Sequence, residues 1–289
     1  MSESSRKKEE VLIEALPYIQ TYEGKTFVIK YGGAVMTDER LKQTFAKDVT
    51  ILRKIGVNII IVHGGGKEIT ETATALGIPT TFVDGQRFTD EKMIEVVLMV
   101  LAGFINKEIV NLINTNGGNA IGLCGVDNML LKARKLATNG KDLGLVGEIT
   151  SVNLPFLSLL LQNGMMPVIA PVGMGENGTL YNINADLAAG AVAAALKAEK
   201  LVYLSDREGI MVKDKLVSTM TKSEADKLIA DGQIFGGMIP KVTSAFDTLG
   251  AGVNKVHIID GRIKHSLLLE IFTDEGVGTQ MVHEEGTVA

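Results

Sequence analysis

Apolar residues return along this chain in two rhythms. Short unbroken runs, Phe27-Val28-Ile29, Ile59-Ile60-Ile61-Val62 and the segments 167–170 and 201–204, alternate with stretches whose apolar positions recur every three or four residues. Runs without polar interruption suit strands buried on both faces, and the three-to-four spacing marks helices with one apolar stripe. Thr37-Asp38-Glu39, an N-cap with an acidic first turn, predicts a helix reaching Gly56. Thr89-Asp90-Glu91 predicts a long helix carrying Met93, Val96, Val97, Val100, Leu101 and Phe104. Residues 120–123 read as a short strand, and 130–135 with 145–152 as a hairpin divided by Asn139-Gly140. A helix over 154–162 closed by Gly164 follows, then Asn184 as the cap of an alanine-rich helix over 185–198. Thr221-x-x-Glu224 is a capping box for a helix that Gly232 ends, and 255–260 and 278–282 read as late strands.

This alternation predicts an α/β fold, a three-layer αβα sandwich on an open, mainly parallel sheet. The glycine-rich stretch from Gly173 to Gly178 predicts a boundary between an N-terminal lobe, residues 1–178, and a C-terminal lobe, residues 179–289. Ahead of the first strand, Val11, Leu12, Ala15, Leu16 and Ile19 form an apolar stripe. A helix of about a dozen residues is marginal alone in water, so it must dock on its own body or on another subunit.

Two strands end in chemistry. The first runs into Lys30-Tyr31-Gly32-Gly33, the second into His63-Gly64-Gly65-Gly66 ahead of a further predicted helix. Glycines at a strand's carboxyl end let backbone N–H groups converge on an anion, and a helix start adds its positive dipole end. A lysine among them points to phosphoryl chemistry. Arg87 stands just before a helix start, where a guanidinium can fork onto a carboxylate. Asn182-x-Asn184-x-Asp186 places polar groups at a helix mouth; Asp186 suits the dipole, whereas Asn182 lies before the cap without such a local reason. Lys241, following Gly236-Gly237-Met238-Ile239-Pro240, is a cation at a helix beginning, a local conflict that an anionic partner resolves.

Composition narrows the classes. The 289 residues suffice for one large α/β domain or two lobes, and 46% hydrophobic with 22% charged residues argues against disorder. A net charge of −5 argues against a nucleic-acid coat. One cysteine, Cys124, excludes an internal disulfide and fits a reducing compartment; with no Cys/His cluster, no zinc site is expected. The polar first ten residues lack the apolar core of a secretion signal, and no run is expected to span a membrane, so a cytoplasmic protein is predicted. Gly173-x-Gly175-x-x-Gly178 has dinucleotide-fingerprint spacing but precedes a predicted strand instead of opening a helix, and no Walker-type loop exists.

In order, Lys30-Tyr31-Gly32-Gly33, His63 to Gly66, Gly85-Gln86-Arg87-Phe88-Thr89-Asp90, Asn182-Ile183-Asn184-Ala185-Asp186, Leu204-Ser205-Asp206-Arg207-Glu208-Gly209 and Gly236 to Lys241 resemble the amino acid kinase family. Arg87 with the Asn182 segment resembles its branch acting on N-acetyl-L-glutamate. The resemblance implies transfer of the γ-phosphoryl of ATP, with Mg²⁺ carried on its phosphates, to the side-chain carboxylate of N-acetyl-L-glutamate in arginine biosynthesis. It implies Lys30 and Lys241 on the transferring group, Asp186 orienting both, and Gly33, Gly65 and Gly66 as N–H donors. Arg87 and Asn182 would hold the acceptor, and Asp206 and Gly209 would lie at the nucleotide. The N-terminal helix resembles the extension of arginine-inhibited hexameric members, trimers of dimers; arginine would meet Tyr18, Lys200, His265 and Glu270. Lys67, where proline is common, and Phe88, where a small aliphatic residue is usual, depart from the pattern. A kinase with another carboxylate or carbamate acceptor, or a non-catalytic amino-acid sensor, are the alternatives; Arg87 with Asn182 argues against the first, and both lysines with Asp186 against the second.

Overall fold

The structure is a computed structural model that describes residues 3–138, 140–273 and 276–284, with the side chains of 3–12 and of Ala34 left out. Val11, Leu12 and Asn139 of the sequence reading therefore lie partly or wholly outside it.

Eight strands form one sheet in the order Thr219–Met220, Gly278–Met281, Lys255–Asp260, Lys200–Ser205, Thr26–Tyr31, Asn58–His63, Met166–Ala170, Ala120–Cys124. Every pairing is parallel except Lys255–Asp260 with Gly278–Met281. The mainly parallel sheet is thus as predicted. Alternation along the strands feeds two cores. Phe27, Ile29, Ile59 and Ile61 pack on one face with helices Glu39–Lys54 and Ser266–Phe272 and the long helical stretch from 91 to 115. Val28, Ile60 and Val62 pack on the other with helices Leu154–Gln162, Ala185–Leu196 and Met238–Gly250. Both faces are covered, which is why the strand runs carry no polar residue.

The helix starts are where the caps put them. Asp38, Asp90, Asn153 and Asn184 each accept from backbone N–H groups of the first turn, and Thr221 with Glu224 closes the capping box. The long helical stretch has a feature that 3.6-residue periodicity does not predict: Glu91–Leu98 is α-helical, Met99–Ile105 is a π-helix, and Asn106–Thr115 is α-helical again. By length and composition this 25-residue stretch, with an 18-residue window of mean hydropathy 1.9, could cross a membrane, contrary to the expectation that no segment would. Its Val96, Val97, Val100, Leu101, Ile105, Ile109 and Ile113 are buried in the core, while Met99 and Phe104 are exposed.

A second small sheet closes on itself: Leu180–Ile183, Val146–Val152, Leu131–Lys135 and Val172–Met174. Leu131–Lys135 and Val146–Val152 are antiparallel, as the hairpin reading requires. The dinucleotide-like glycines fall in an antiparallel hairpin, with Gly178 at φ +77 in its turn, so that spacing marks a turn and no helix. This hairpin carries the pairing across the predicted lobe boundary at Gly178: Leu180–Ile183 belongs with strands of the first half.

Candidate active site

The carboxyl ends of the central strands converge on two adjoining cavities. The first, ≈ 230 Å³, is lined among others by Gly64, Gly65, Gly66, Arg87, Leu101 and Asn182. The second, ≈ 250 Å³, is lined by Asp186, Tyr203, Gly237, Lys241 and Ser244. Gln86 and Asn184 belong to both walls.

In the first cavity Arg87 is held from several sides. Its Nη2 donates to Gly66 O (2.6 Å) and Thr70 Oγ1 (2.7 Å), and its guanidinium lies 4.8 Å above the Phe82 ring. Nη1 is buried without a hydrogen-bond partner. A guanidinium fixed at one nitrogen with the other unpaired in a cavity fits a carboxylate ligand. Burial lowers its pKa, but it stays a cation. Asn182 Nδ2 donates to Thr89 Oγ1 (3.1 Å), and Thr89 Oγ1 donates to Arg87 O (3.0 Å), so the two predicted acceptor residues share one network. Gly65 caps helix Gly66–Ala75 at φ +157. A Cβ there would press on Leu101 Cδ2 at 2.6 Å and still harder on Ile105, so only glycine fits. Gly64 and Gly66 have open space where a side chain would stand.

Lys30 Nζ lies 2.9 Å from Asp186 Oδ1, with both side chains largely shielded from water. No hydrogen bond is aligned with that oxygen, so the contact is an ion pair without directional closure. Lys30 folds back over Gly32, where a Cβ would meet its Nζ at 2.8 Å. Lys241, in the first turn of helix Met238–Gly250, lines the second cavity with Asp186. Asp186 is thus paired with Lys30 and shares a cavity wall with Lys241, a residue distant from Lys30 in sequence. Gly33, at φ +73, begins a short 3₁₀ turn, and its Cβ position would stand 3.9 Å from the Asp206 backbone nitrogen. Asp206 is exposed in the turn after Lys200–Ser205; Gly209 is buried at φ +141 against Leu216 and Thr279, so close packing explains its glycine.

The remaining predicted residues lie across the sheet from this centre. Tyr18 meets Phe272 edge-on at 6.3 Å between ring centroids. Lys200 is buried with Nζ 4.8 Å from the Tyr22 ring, and burial pushes its pKa down to about 8. Both oxygens of Glu270 already accept bonds, from His257 Nδ1 (2.6 Å) and Val277 N (2.7 Å). Burial would raise the Glu270 carboxyl, but the His257 bond and charge, the Val277 N–H and the Lys200 charge together hold it below its usual value. His265 turns to Asp48 instead, at 2.6 Å, and does not join Lys200 and Glu270.

Sequence reasoning passed over Gln86 and His257. Gln86 sits beside Arg87 in a two-residue strand, and nothing local marks it as a shared wall. His257 lies inside an apolar strand, and its partner is 13 residues away.

Parallel strands with glycine turns at their carboxyl ends, Lys30 paired with Asp186, Lys241 lining the same cavity as Asp186, and an adjoining arginine-lined cavity fit a small-molecule phosphotransferase. The chain belongs to the amino acid kinase family, whose model matches residues 25–260. Among similar proteins is the acetylglutamate kinase of Chlorobaculum tepidum, 57% identical over 95% of this chain and 96% of its own. The acetylglutamate kinase of Chlorobium limicola is 56% identical over 98% of this chain and 94% of its own. Among solved structures, the N-acetylglutamate synthase of Neisseria gonorrhoeae, complexed with coenzyme A and N-acetyl-glutamate, is similar at 28% identity with a TM-score of 0.86. The match covers 97% of this chain but only 64% of the synthase chain.

Proposed function

We propose that this protein is an ATP-dependent kinase that phosphorylates the side-chain carboxylate of N-acetyl-L-glutamate, an activity of arginine biosynthesis. The observation that carries this reading is the adjacency of the two cavities. One is lined by Arg87, whose guanidinium keeps a buried nitrogen unpaired, the other by Asp186 and Lys241, and they share Gln86 and Asn184. The two full-length relatives above carry the same activity in their names.

Arg87 and Asn182 hold the acceptor, and the Gly65 and Gly66 N–H groups meet its reacting end. Gly33 supports the phosphates from the opposite turn. Lys30 and Lys241 neutralise the migrating phosphoryl, and Asp186 orients both. A carboxylate oxygen forms the new bond to phosphorus as the bond to the β-bridging oxygen breaks and ADP departs. No proton moves, because the acceptor is already ionised at neutral pH. Catalysis of this kind is positioning and charge stabilisation. Mg²⁺ enters as part of the Mg–ATP substrate, bound to phosphate oxygens and water. Residues 1–178 form the acceptor lobe, joined across the boundary by strand Leu180–Ile183 with Asn182, and the rest of residues 179–289 the nucleotide lobe, with Asp206 and the turn closed by Gly209 at the nucleotide.

The same reading extends to regulation. Ile13 and Leu16 expose apolar surface on the N-terminal helix, which supports interlacing of dimers into a hexamer, a trimer of dimers. Tyr18, Lys200, Glu270 and His265 surround the end of that helix or the helix it packs on, the region assigned to inhibitory arginine in a cytoplasmic enzyme. A guanidinium reaching Glu270 would use the lone pairs that His257 and Val277 leave.

A coupled assay should show ADP release that depends on N-acetyl-L-glutamate and falls when arginine is added. Turnover with aspartate or carbamate but not with N-acetyl-L-glutamate would reject the acceptor. Deleting residues 1–21 should lower the oligomer and blunt inhibition; a truncated protein that still elutes as a hexamer would reject the interlacing role.

A further inference from the structure

His63, the residue that opens the glycine turn, is fully buried and lines neither of the two site cavities. Its Nδ1 lies 2.8 Å from Gly64 O, and its Nε2 lies 3.3 Å from Asn106 Nδ2. A carbonyl only accepts, so Nδ1 carries the proton; Nε2 then accepts from the amide. Burial favours the neutral ring, with a pKa pushed down to about 4. Asn106 is anchored in turn: Nδ2 also reaches Val168 O (2.9 Å) and Leu123 O (3.3 Å), and Oδ1 accepts from Lys107 Nζ (3.1 Å). The Asn106 side chain fills the place where a Cβ on Gly122 would stand. A strand glycine thus clears the path for this amide.

The π-helix explains how one helix supplies both packing and the amide. Asn106 N donates to Leu101 O, five residues back. Such a bond stacks residues five apart on one face, where an α-helix would separate them. Leu101 and Ile105 therefore back onto Gly65 while Asn106 reaches His63.

We propose that the π-helix Met99–Ile105 and the His63–Asn106 pair are a positioning device that fixes the Gly64–Gly65 peptide. The peptide is planar and trans, so tying Gly64 O toward His63 aims the Gly65 N–H the opposite way. That direction is the acceptor cavity, with Leu101 and Ile105 preventing the turn from relaxing backward. The device rests on the reading of Gly65 as an N–H donor to the acceptor, and it acts on the reacting geometry through the backbone. His63 touches no substrate; it is a positioning residue.

The test uses the full chain and compares His63→Asn with His63→Gln. The Asn amide can take the place of Nδ1 and donate to Gly64 O, whereas the Gln amide reaches the place of Nε2 and leaves that carbonyl unpaired. His63→Asn should keep kcat within about threefold, and His63→Gln should lose at least ~30-fold, approaching the loss of one oxyanion donor, with KM for ATP unchanged in both. Equal kcat in the two variants, or losses that follow KM for ATP, would overturn the device. A nitrogen-15 spectrum of the wild-type histidines, assigned through the His63-Gly64 connection, should show Nδ1 protonated and Nε2 bare at pH 7. The reverse tautomer would overturn the proposal even if neither variant folds. Wild-type protein inactive on N-acetyl-L-glutamate would instead reject the acceptor reading, leaving the tautomer as the measure of the device.

Discussion

Acidification should remove a defined share of stability through His63. The imidazole is fully buried, and burial moves its pKa from 6.5 to about 4. Between those values the ring is neutral in the fold and protonated in the unfolded chain, so the unfolded chain binds more protons there. The stabilisation is complete above pH 6.5, declines as pH falls toward 4, and levels off below. At about 1.36 kcal/mol per pH unit, the gap between 6.5 and about 4 amounts to about 3 kcal/mol. Protonation also adds a donor at Nε2, facing an amide that itself donates. His257, which burial likewise lowers, titrates in the same direction, so the informative quantity is the difference between wild type and His63→Asn. Urea unfolding followed by circular dichroism at intervals from pH 7 to pH 4 gives that difference. The stability advantage of the wild type should shrink by about 3 kcal/mol across the range. Parallel curves would refute the assignment of a neutral, desolvated ring.

Other perturbations follow from the same geometry. Lys30→Met and Lys241→Met should each lower kcat by at least ~10²-fold with an unchanged circular-dichroism spectrum, because each removes charge from the transferring group and adds little strain. Arg87→Ala should lower kcat/KM for the acceptor by about 10²-fold, the loss of a charge-assisted carboxylate contact, with KM for ATP unaffected in initial-rate measurements. Ile60→Ala, at a fully buried strand position, should cost about 2–5 kcal/mol in chemical unfolding. Thr221→Ala should cost about 1 kcal/mol by removing a capping box in the C-terminal half.

Much of this architecture could be read before the coordinates because its signals are local. Unbroken apolar runs mark strands buried on both faces, and Asp38, Asp90, Asn184 and Thr221 announce helix starts through bonds to the next few residues. The glycine turns and lysines were legible for the same reason, since each occupies a strand end or helix mouth. What escaped depends on distance. The two-residue strands Phe82–Val83 and Gln86–Arg87 are too short to show a period. The π-helix keeps enough apolar residues to pass as an α-helix, since only a bond five residues back distinguishes it. Asn106 lies 43 positions from His63, and no local pattern joins them. Glu270 reads as a free carboxylate until the fold brings His257 to it. The helix read from Thr89-Asp90-Glu91 through Phe104 continues to Thr115 and becomes long and apolar enough to cross a bilayer; its stripe serves a core on one side and leaves Met99 and Phe104 bare on the other.

The sheet order also bears on how the chain must be made. Thr26–Tyr31 lies between Asn58–His63 and Lys200–Ser205. A ribosome delivers the first neighbour soon after, but the second emerges roughly 140 residues later, on the order of ten seconds at common elongation rates. Throughout that interval a strand internal to the finished sheet has one edge without its partner, the kind of surface on which polypeptides aggregate. The later half of the chain closes that edge when Lys200–Ser205 arrives to pair with it.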